Sequence, residues 1–489
     1  MTSAYAVTRR PRAGMPTGLW LGIALALPFV GAVTVTGIYL NQEAIVAAAW
    51  VSMCIAASVL VEPLIGVVAM TATFLLVAYP TVLQTLGVLT VNNLLGLCLG
   101  LALAAYVVTS RDLSFLTVRQ VLILAAIGVL FVLSNAHADV IFPTMGASQG
   151  LGVKGKLLDR TSDMMHDFFA RFVFLVFLVV FVRRRRDVNA VFGTFVLVLF
   201  LAVPSALINW WQGTLSHGFR AMASITAGAN ANRLAMICLM EVACWWCWVR
   251  AGRGAVRWPV AMTAIGGAFL VVLATGSRSG LIGCGVLGIL LQTGPRRFRA
   301  PLLHLGAAAL AGAVAIVTVV PPEAWQRMLV FSQEDPHAVG ASSLMLRETT
   351  IETGMKMIAD HPFLGVGLGN YREVSRQVYL DEFFRPPHNS VIWAASEGGV
   401  FVLAGYLLLF AITWRDLNRI TQLADRDPAL AHIVASLRMI FVLYCFFALL
   451  ADLCLNPITY VLIGLVVTMR RYLEGLPAAV PRPALATAR

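Results

Sequence analysis

Residues 258–293 read WPVAMTAIGGAFLVVLATGSRSGLIGCGVLGILLQT, two apolar runs joined by a turn that carries one charged residue, Arg278. About 20 apolar residues suffice to cross the hydrocarbon of a bilayer as a helix, and only helices or closed barrels satisfy their backbone polar groups there. The stretch therefore reads as two membrane helices meeting at TGSRSG. The same texture recurs along the chain, in apolar runs at 18–40, 44–60, 63–79, 92–109, 119–134, 169–184, 191–209, 230–250, 302–320, 389–413, 434–451 and 454–470. The runs 44–60 and 63–79 are short and divided only by Glu62-Pro63, so they read as half-helices or one broken element. We expect about 12 spans and at most 14.

Composition points the same way. Of 489 residues 59% are hydrophobic and 12% charged, with a mean hydropathy of +0.82. A soluble domain is about 45–50% apolar and about 25% charged. So few charges cannot cover so much apolar surface in water. The expected fold class is an all-α polytopic membrane protein.

The excess of 36 Lys+Arg over 24 Asp+Glu, formally +12, would suggest nucleic acid in a soluble protein. Here it falls in short clusters between apolar runs, at Arg9–Arg12, Arg111/Arg119, Arg183–Arg186, Arg250–Arg257, Arg296–Arg299, Arg415/Arg419 and Arg470/Arg471. No Lys-rich stripe is interleaved with aromatics, so no nucleic-acid partner is expected; the partner of these clusters is membrane lipid. Each cluster follows an even number of spans from a cytoplasmic N-terminus, which satisfies the positive-inside rule with both termini in the cytoplasm. The Arg-rich start followed by an apolar run mimics a signal peptide. No small-residue cleavage site follows, so it is expected to be the first helix.

This topology puts the less basic connections 135–168, 210–229 and 321–388 outside. It divides the chain into N-terminal transmembrane helices (1–320), a large outer loop (321–388), C-terminal transmembrane helices (389–475) and a cytoplasmic tail (476–489). A connection as long as 321–388 is usually functional. It should hold an amphipathic helix from about Ser343 to Asp360, with Ile351, Met355 and Ile358 laid against the membrane or the bundle. The eight cysteines lie in or beside apolar runs; Cys244 and Cys247, in CWWCW, read as small core or lipid-facing residues rather than a metal or redox site.

Three ionisable residues stand out on the outer side. Arg278 sits among Gly and Ser at a turn between spans, where a guanidinium at membrane depth marks a functional site; the bland alternative is an arginine snorkelling to headgroups. Arg347 opens the loop helix in SLMLRETTIETGMKMIADHP, and is otherwise a surface arginine paired with Glu348 or Glu352. His388, in RPPHNSVIWAASEGGV, is held at the mouth of a span by Pro386-Pro387, and its imidazole can take a proton near neutral pH. Asn389 either orients it or caps the following helix. Between them HPFLGVGLGNY has Gly365, Gly367 and Gly369 for a tight backbone excursion. As a phosphate loop it is weak, because no strand precedes it and no Lys follows.

The ordered series TGSRSG, an Arg-led helix ending in HPFLGVGLGNY, then HNSVIWAASEGGV resembles the O-antigen ligase/polymerase family over roughly residues 225–410, including AGANANRLA at the head of an earlier span. The resemblance implies a GT-C-like helical bundle with a large periplasmic loop in the bacterial inner membrane. It implies glycan transfer from undecaprenyl diphosphate to lipid A-core, with no metal and no cofactor. Carried across, Arg278 and Arg347 match the family's two functional arginines, which bind the diphosphate, and His388 its histidine, the base. Asn389 is possible support for it. The longer N-terminal portion departs from the family and leaves the helix count open. Ligase, O-unit polymerase and protein-glycosylating transferase remain alternatives within the family. A transporter of lipid-linked sugars is the reading from another class, though no inverted repeat is visible. Glu397 and Asp452, in or near spans, read as structural.

Overall fold

The computed structural model describes residues 43–76, 91–142, 153–215, 219–224, 230–252, 254–329, 341–381 and 385–476. The expected first span, the Arg9–Arg12 cluster, the start of AGANANRLA and nearly all of the tail lie outside the described residues. Every regular element among those described is helical. In chain order they are α1 (Glu43–Val61), α2 (Pro63–Leu75), α3 (Val91–Ser110), α4 (Arg119–Ile141), α5 (Val153–Phe181), α6 (Arg185–Phe200) and α7 (Ala202–Trp211). There follow α8 (Ala231–Ala251), α9 (Arg257–Ala274), α10 (Arg278–Thr293), α11 (Leu302–Thr318), α12 (Pro322–Leu329) and α13 (Ala341–Asp360). The last four are α14 (Tyr371–Gln377), α15 (Ser390–Leu423), α16 (Ala431–Ala448) and α17 (Pro457–Glu474).

Among the described residues nine helical segments are long and apolar enough to cross a membrane, and Trp50–Val61, Pro63–Leu75 and Arg278–Thr293 are shorter apolar helices. Their outward apolar side chains, such as Leu122, Val129 and Leu133 on α4 and Leu310 and Val317 on α11, are exposed in the isolated chain. Lipid is the solvent that this surface fits. The protein is a polytopic α-helical membrane protein.

Helix α8 forms the centre: every residue from Leu234 to Cys244 is buried, on all faces. A helix apolar on nearly every face, with Glu241 its one acidic residue, belongs inside a bundle. It packs against α9 and α16, while α11 lies at the periphery with little of its surface covered. Cys244 and Cys247 are free and buried in this core, as their apolar setting leads one to expect. Glu62-Pro63 separates two distinct helices; proline at the first helical position lacks only an N–H that has no partner there anyway.

The arginine clusters interlock at one end of the bundle. Arg183 pairs with Asp112 (3.7 Å), Arg186 with Glu62 (3.9 Å) and Arg185 with Asp427 (3.6 Å). Arg470 bonds the buried Asp416 at 2.6 Å, which also accepts from Gln120 (2.8 Å). Arg471 reaches Ser114 (3.1 Å), and Arg250 and Arg297 bridge the ends of α8 and the 296–298 turn. Clusters far apart in sequence thus share one face, as a topology with arginine on a single side requires.

Helix α15 is not continuous. Gly399 breaks it with φ 74° and ψ −178°. The loop after α13 fills the gap: Val366 and Gly367 donate their N–H groups to the carbonyls of Ser396 and Glu397, both at 2.9 Å, and Val400 donates to the carbonyl of Pro362 at 2.8 Å. A side chain at Gly399 would put Cβ 2.0 Å from the Phe363 carbonyl oxygen, and one at Gly365 2.5 Å from that of Ser396. The glycines of HPFLGVGLGNY therefore serve close backbone approach to a transmembrane helix.

Helix α13 runs from Ala341, two residues earlier than expected, and ends at Asp360 as expected. Its buried face is Thr350, Thr353, Gly354 and Met357, whereas Ile351 and Met355 are exposed. This corrects the part of the expectation that laid those apolar positions against the bundle. Gly354 lets α13 sit close to Ile392 of α15, so that its face, with Thr350, Thr353 and Met357, turns inward in place of Ile351 and Met355.

Candidate functional site

The end of the bundle opposite the arginine network is built from helix starts. Four Asn/Ser caps set them. Asn230 accepts from the N–H of Asn232 (2.9 Å) and begins α8; Ser277 accepts from Gly280 (3.1 Å) and begins α10. Asn389 accepts from Val391 (2.9 Å) and Ile392 (3.2 Å) and begins α15, and Asn456 accepts from Ile458 (3.0 Å) and begins α17. Each cap fixes where the preceding or following functional side chain emerges.

Arg278 is the first residue of α10, directly after the Ser277 cap and the left-handed turn at Gly276 (φ 57°). That turn is covered by α12, whose Ala324 backbone would lie 3.1 Å from a Cβ at Gly276. The absent side chain lets α12 approach and carries Arg327 in with it. Arg220 comes from the 219–224 segment: its Nε donates to the Thr275 carbonyl (2.8 Å), its Nη2 to Asn232 Oδ1 (3.2 Å), and the N–H of Ala221 to the Ala274 carbonyl (3.0 Å). Arg347 arrives on α13.

These four guanidinium groups feel one another. Burial, then the charges of Arg327, Arg347 and Arg278, push Arg220 down to about 9. Arg327 is lowered by burial and by Arg347, and Arg347 by burial. Arg278 in turn experiences the charges of both Arg327 and Arg347. Arg220 and Arg327 are buried, while Arg278 and Arg347 are half-buried. Crowded cations of this kind repel one another. A fold that accepts such a cost has positive charge to offer a polyanion. Glu352, a possible partner for Arg347, is instead bonded to Lys356 at 2.8 Å.

His388 occupies a left-handed backbone conformation (φ 47°) that the stiff Pro386-Pro387 lead-in and the Asn389 cap hold in place. Its Nδ1 stands 3.9 Å from Asp452 Oδ1, in the turn between α16 and α17. Asp452 also receives Arg233 Nη2 at 3.1 Å. Burial raises the Asp452 carboxyl, but His388 and Arg233 outweigh it and hold the group below its ordinary value, as a carboxylate. Asn389 supports this arrangement as a helix cap.

The two halves meet on the first turn of α8. Asn232 Oδ1 accepts from Arg220 and from Ser277 Oγ (2.8 Å), next to Arg278, while the adjacent Arg233 holds Asp452 and, through it, His388. Arg278 and Arg347 are thus within electrostatic reach of each other, and His388 joins them through consecutive residues of one helix. Sequence reading missed Arg220, Arg327 and Arg233, and took Asp452 as merely structural. One signal was available: Arg220 and Arg327 are solitary arginines in the connections expected outside, away from every basic cluster.

Fold and site together define a multi-pass helical membrane protein with a cluster of arginines at one end. Residues 263–407, which include Arg278, Arg327, Arg347, His388 and the broken α15, match the family model described as O-antigen ligase. Over that stretch the chain is similar to the O-antigen ligase family, whose proteins are ligase- and polymerase-type enzymes of glycosyl transfer. No curated protein matches the chain.

Proposed function

We propose that the protein transfers a glycan from undecaprenyl diphosphate to a hydroxyl of lipid A-core, in the inner membrane, with the end that carries Arg278 and His388 facing the periplasm and its arginine network facing the cytoplasm. The single observation that carries this reading is the gathering of Arg220, Arg278, Arg327 and Arg347 at one electrostatic focus. A lipid diphosphate leaves readily once its charge is held, and planar guanidinium groups hold phosphate oxygens in pairs. That supplies the stabilisation of developing negative charge that a divalent ion would otherwise give, so the transfer is expected to be metal-independent.

His388 completes the reaction. With Nδ1 turned to the Asp452 carboxylate, its Nε2 is the nitrogen left for the acceptor. The acceptor oxygen forms a bond to the anomeric carbon as the bond from that carbon to the diphosphate oxygen breaks. The hydroxyl proton passes to Nε2, and the electron pair of the broken bond stays on the diphosphate. One displacement inverts the anomeric carbon. General base catalysis of this kind is worth about 10²–10⁴-fold.

The test is purified protein with synthetic undecaprenyl-diphosphate glycan and lipid A-core in the presence of a chelator. Glycosylated lipid A-core is the expected product. Elongation of donor on donor would instead indicate a polymerase, and no product of either kind without an ion gradient would favour transport.

A further inference from the structure

The loop that docks on broken α15 is held by more than backbone carbonyls. Glu397, buried just before the break, points its carboxylate at the loop: Oε2 accepts the N–H of Gly369 at 2.8 Å and Oε1 the N–H of Tyr371 at 3.2 Å. It thereby takes up two donors at the start of α14, where Asn370 offers no side-chain cap bond. From α4, Asn135 Oδ1 accepts the N–H of Leu368 (2.6 Å) and Ser134 Oγ donates to the Glu397 carbonyl (2.7 Å). Tyr371, wholly buried, donates its hydroxyl to the carbonyl of Thr350 on α13, one turn beyond Arg347.

A continuous path follows. His388 and Asn389 begin α15; two turns on, Glu397 grips the 361–371 loop; Tyr371 of that loop grips α13 beside Arg347. A carboxylate accepting two N–H groups makes charge-assisted bonds, about twice as strong as neutral ones. In a buried setting nothing else on the loop replaces them. We infer that Glu397 is a positioning residue for the transfer reaction: it fixes the separation between Arg347 and His388, and so between the leaving diphosphate and the proton acceptor. This rests on the function proposed above. Misplacement of reacting groups by about 1 Å costs on the order of 100-fold in rate.

The experiment compares Glu397→Ala and Glu397→Gln with wild type in the purified transfer assay, with kcat normalised to folded protein. A nitroxide pair at Met355→Cys on α13 and Val140→Cys on α4, both exposed, reports the loop's position in the same samples. Glu397→Ala is expected to lower kcat about 100-fold, leave the donor dissociation constant within about threefold, and broaden the nitroxide distance distribution. Glu397→Gln, which keeps one acceptor oxygen, should recover at least about tenfold of that loss. A purely structural role would reduce the folded yield and leave kcat per folded molecule unchanged, and that outcome overturns the inference. So does a fall in kcat with an unbroadened distance distribution. Arg278→Ala and His388→Ala run alongside: if they too keep full activity, the proposed function itself has failed; if they abolish transfer while Glu397→Ala does not, only the positioning role has.

Discussion

Asp452 Oδ1 faces two side chains at once, Arg233 Nη2 at 3.1 Å and His388 Nδ1 at 3.9 Å. A carboxylate so placed selects which imidazole nitrogen carries the proton and steadies the ring once it becomes charged.

Replacing Asp452 with Asn should therefore lower kcat by at least about 10-fold and by no more than about 10⁴-fold, the loss when the carboxylate of a catalytic triad is replaced, with little change in donor affinity. The pH dependence has a definite sign. The Asp452 carboxyl is depressed in the folded protein, so its contribution to stability is complete above the unfolded value of about 3.9 and is lost as pH falls through the lower folded value. Melting curves in detergent should show an acid-induced loss below about pH 4 that is smaller in Asp452→Asn, and no effect of this group between pH 5 and 8.

Burial, and then its three arginine neighbours, disfavour the charged form of Arg220 in the folded protein. A guanidinium nevertheless keeps its proton, so that cost is relieved by an anion. Inorganic pyrophosphate at neutral pH should raise the melting temperature, and Arg220→Gln should weaken that effect.

Arginine geometry, beyond charge, is testable at the helix start. Arg278→Lys keeps the positive charge but not the planar fork. It should retain part of the pyrophosphate-induced stabilisation, whereas Arg278→Ala should lose most of it, and calorimetric titration separates the two.

Gly399→Ala should destabilise the protein by more than about 2 kcal/mol, since it adds a positive-φ penalty to a clash with backbone. Its Cβ would meet the Phe363 carbonyl oxygen at 2.0 Å. Gly285→Ala, where a Cβ meets open space in α10, is expected to be neutral or to stabilise by up to about 1 kcal/mol. Thermal melts of the two variants check the contrast.

What the sequence disclosed and what it hid follow from locality. Spans are local patterns, and the arginine clusters that sit together at one end were legible because each lies between two apolar runs. Arg278 and His388 were legible because a lone charge at a membrane turn and an imidazole behind Pro-Pro are unusual in their own surroundings. Arg327 offered only its isolation from the basic clusters, and it is the missing Cβ at Gly276 that lets α12 carry it inward. The partners of Asp452 were hidden because Arg233 and His388 are both far away in the chain. The face of α13 was assigned by apolarity, but close helix packing at Gly354 buried its small and polar side instead. The glycines of 361–371 announced a tight excursion without naming Glu397 as its destination.

The most direct measurement is the initial rate of glycan transfer by Arg278→Ala, Arg347→Ala and His388→Ala in proteoliposomes with defined donor and lipid A-core, each variant verified as folded. Joint action of the guanidinium cluster and the imidazole predicts losses of at least about 100-fold in all three. Wild-type rates in His388→Ala or in both arginine variants would contradict it.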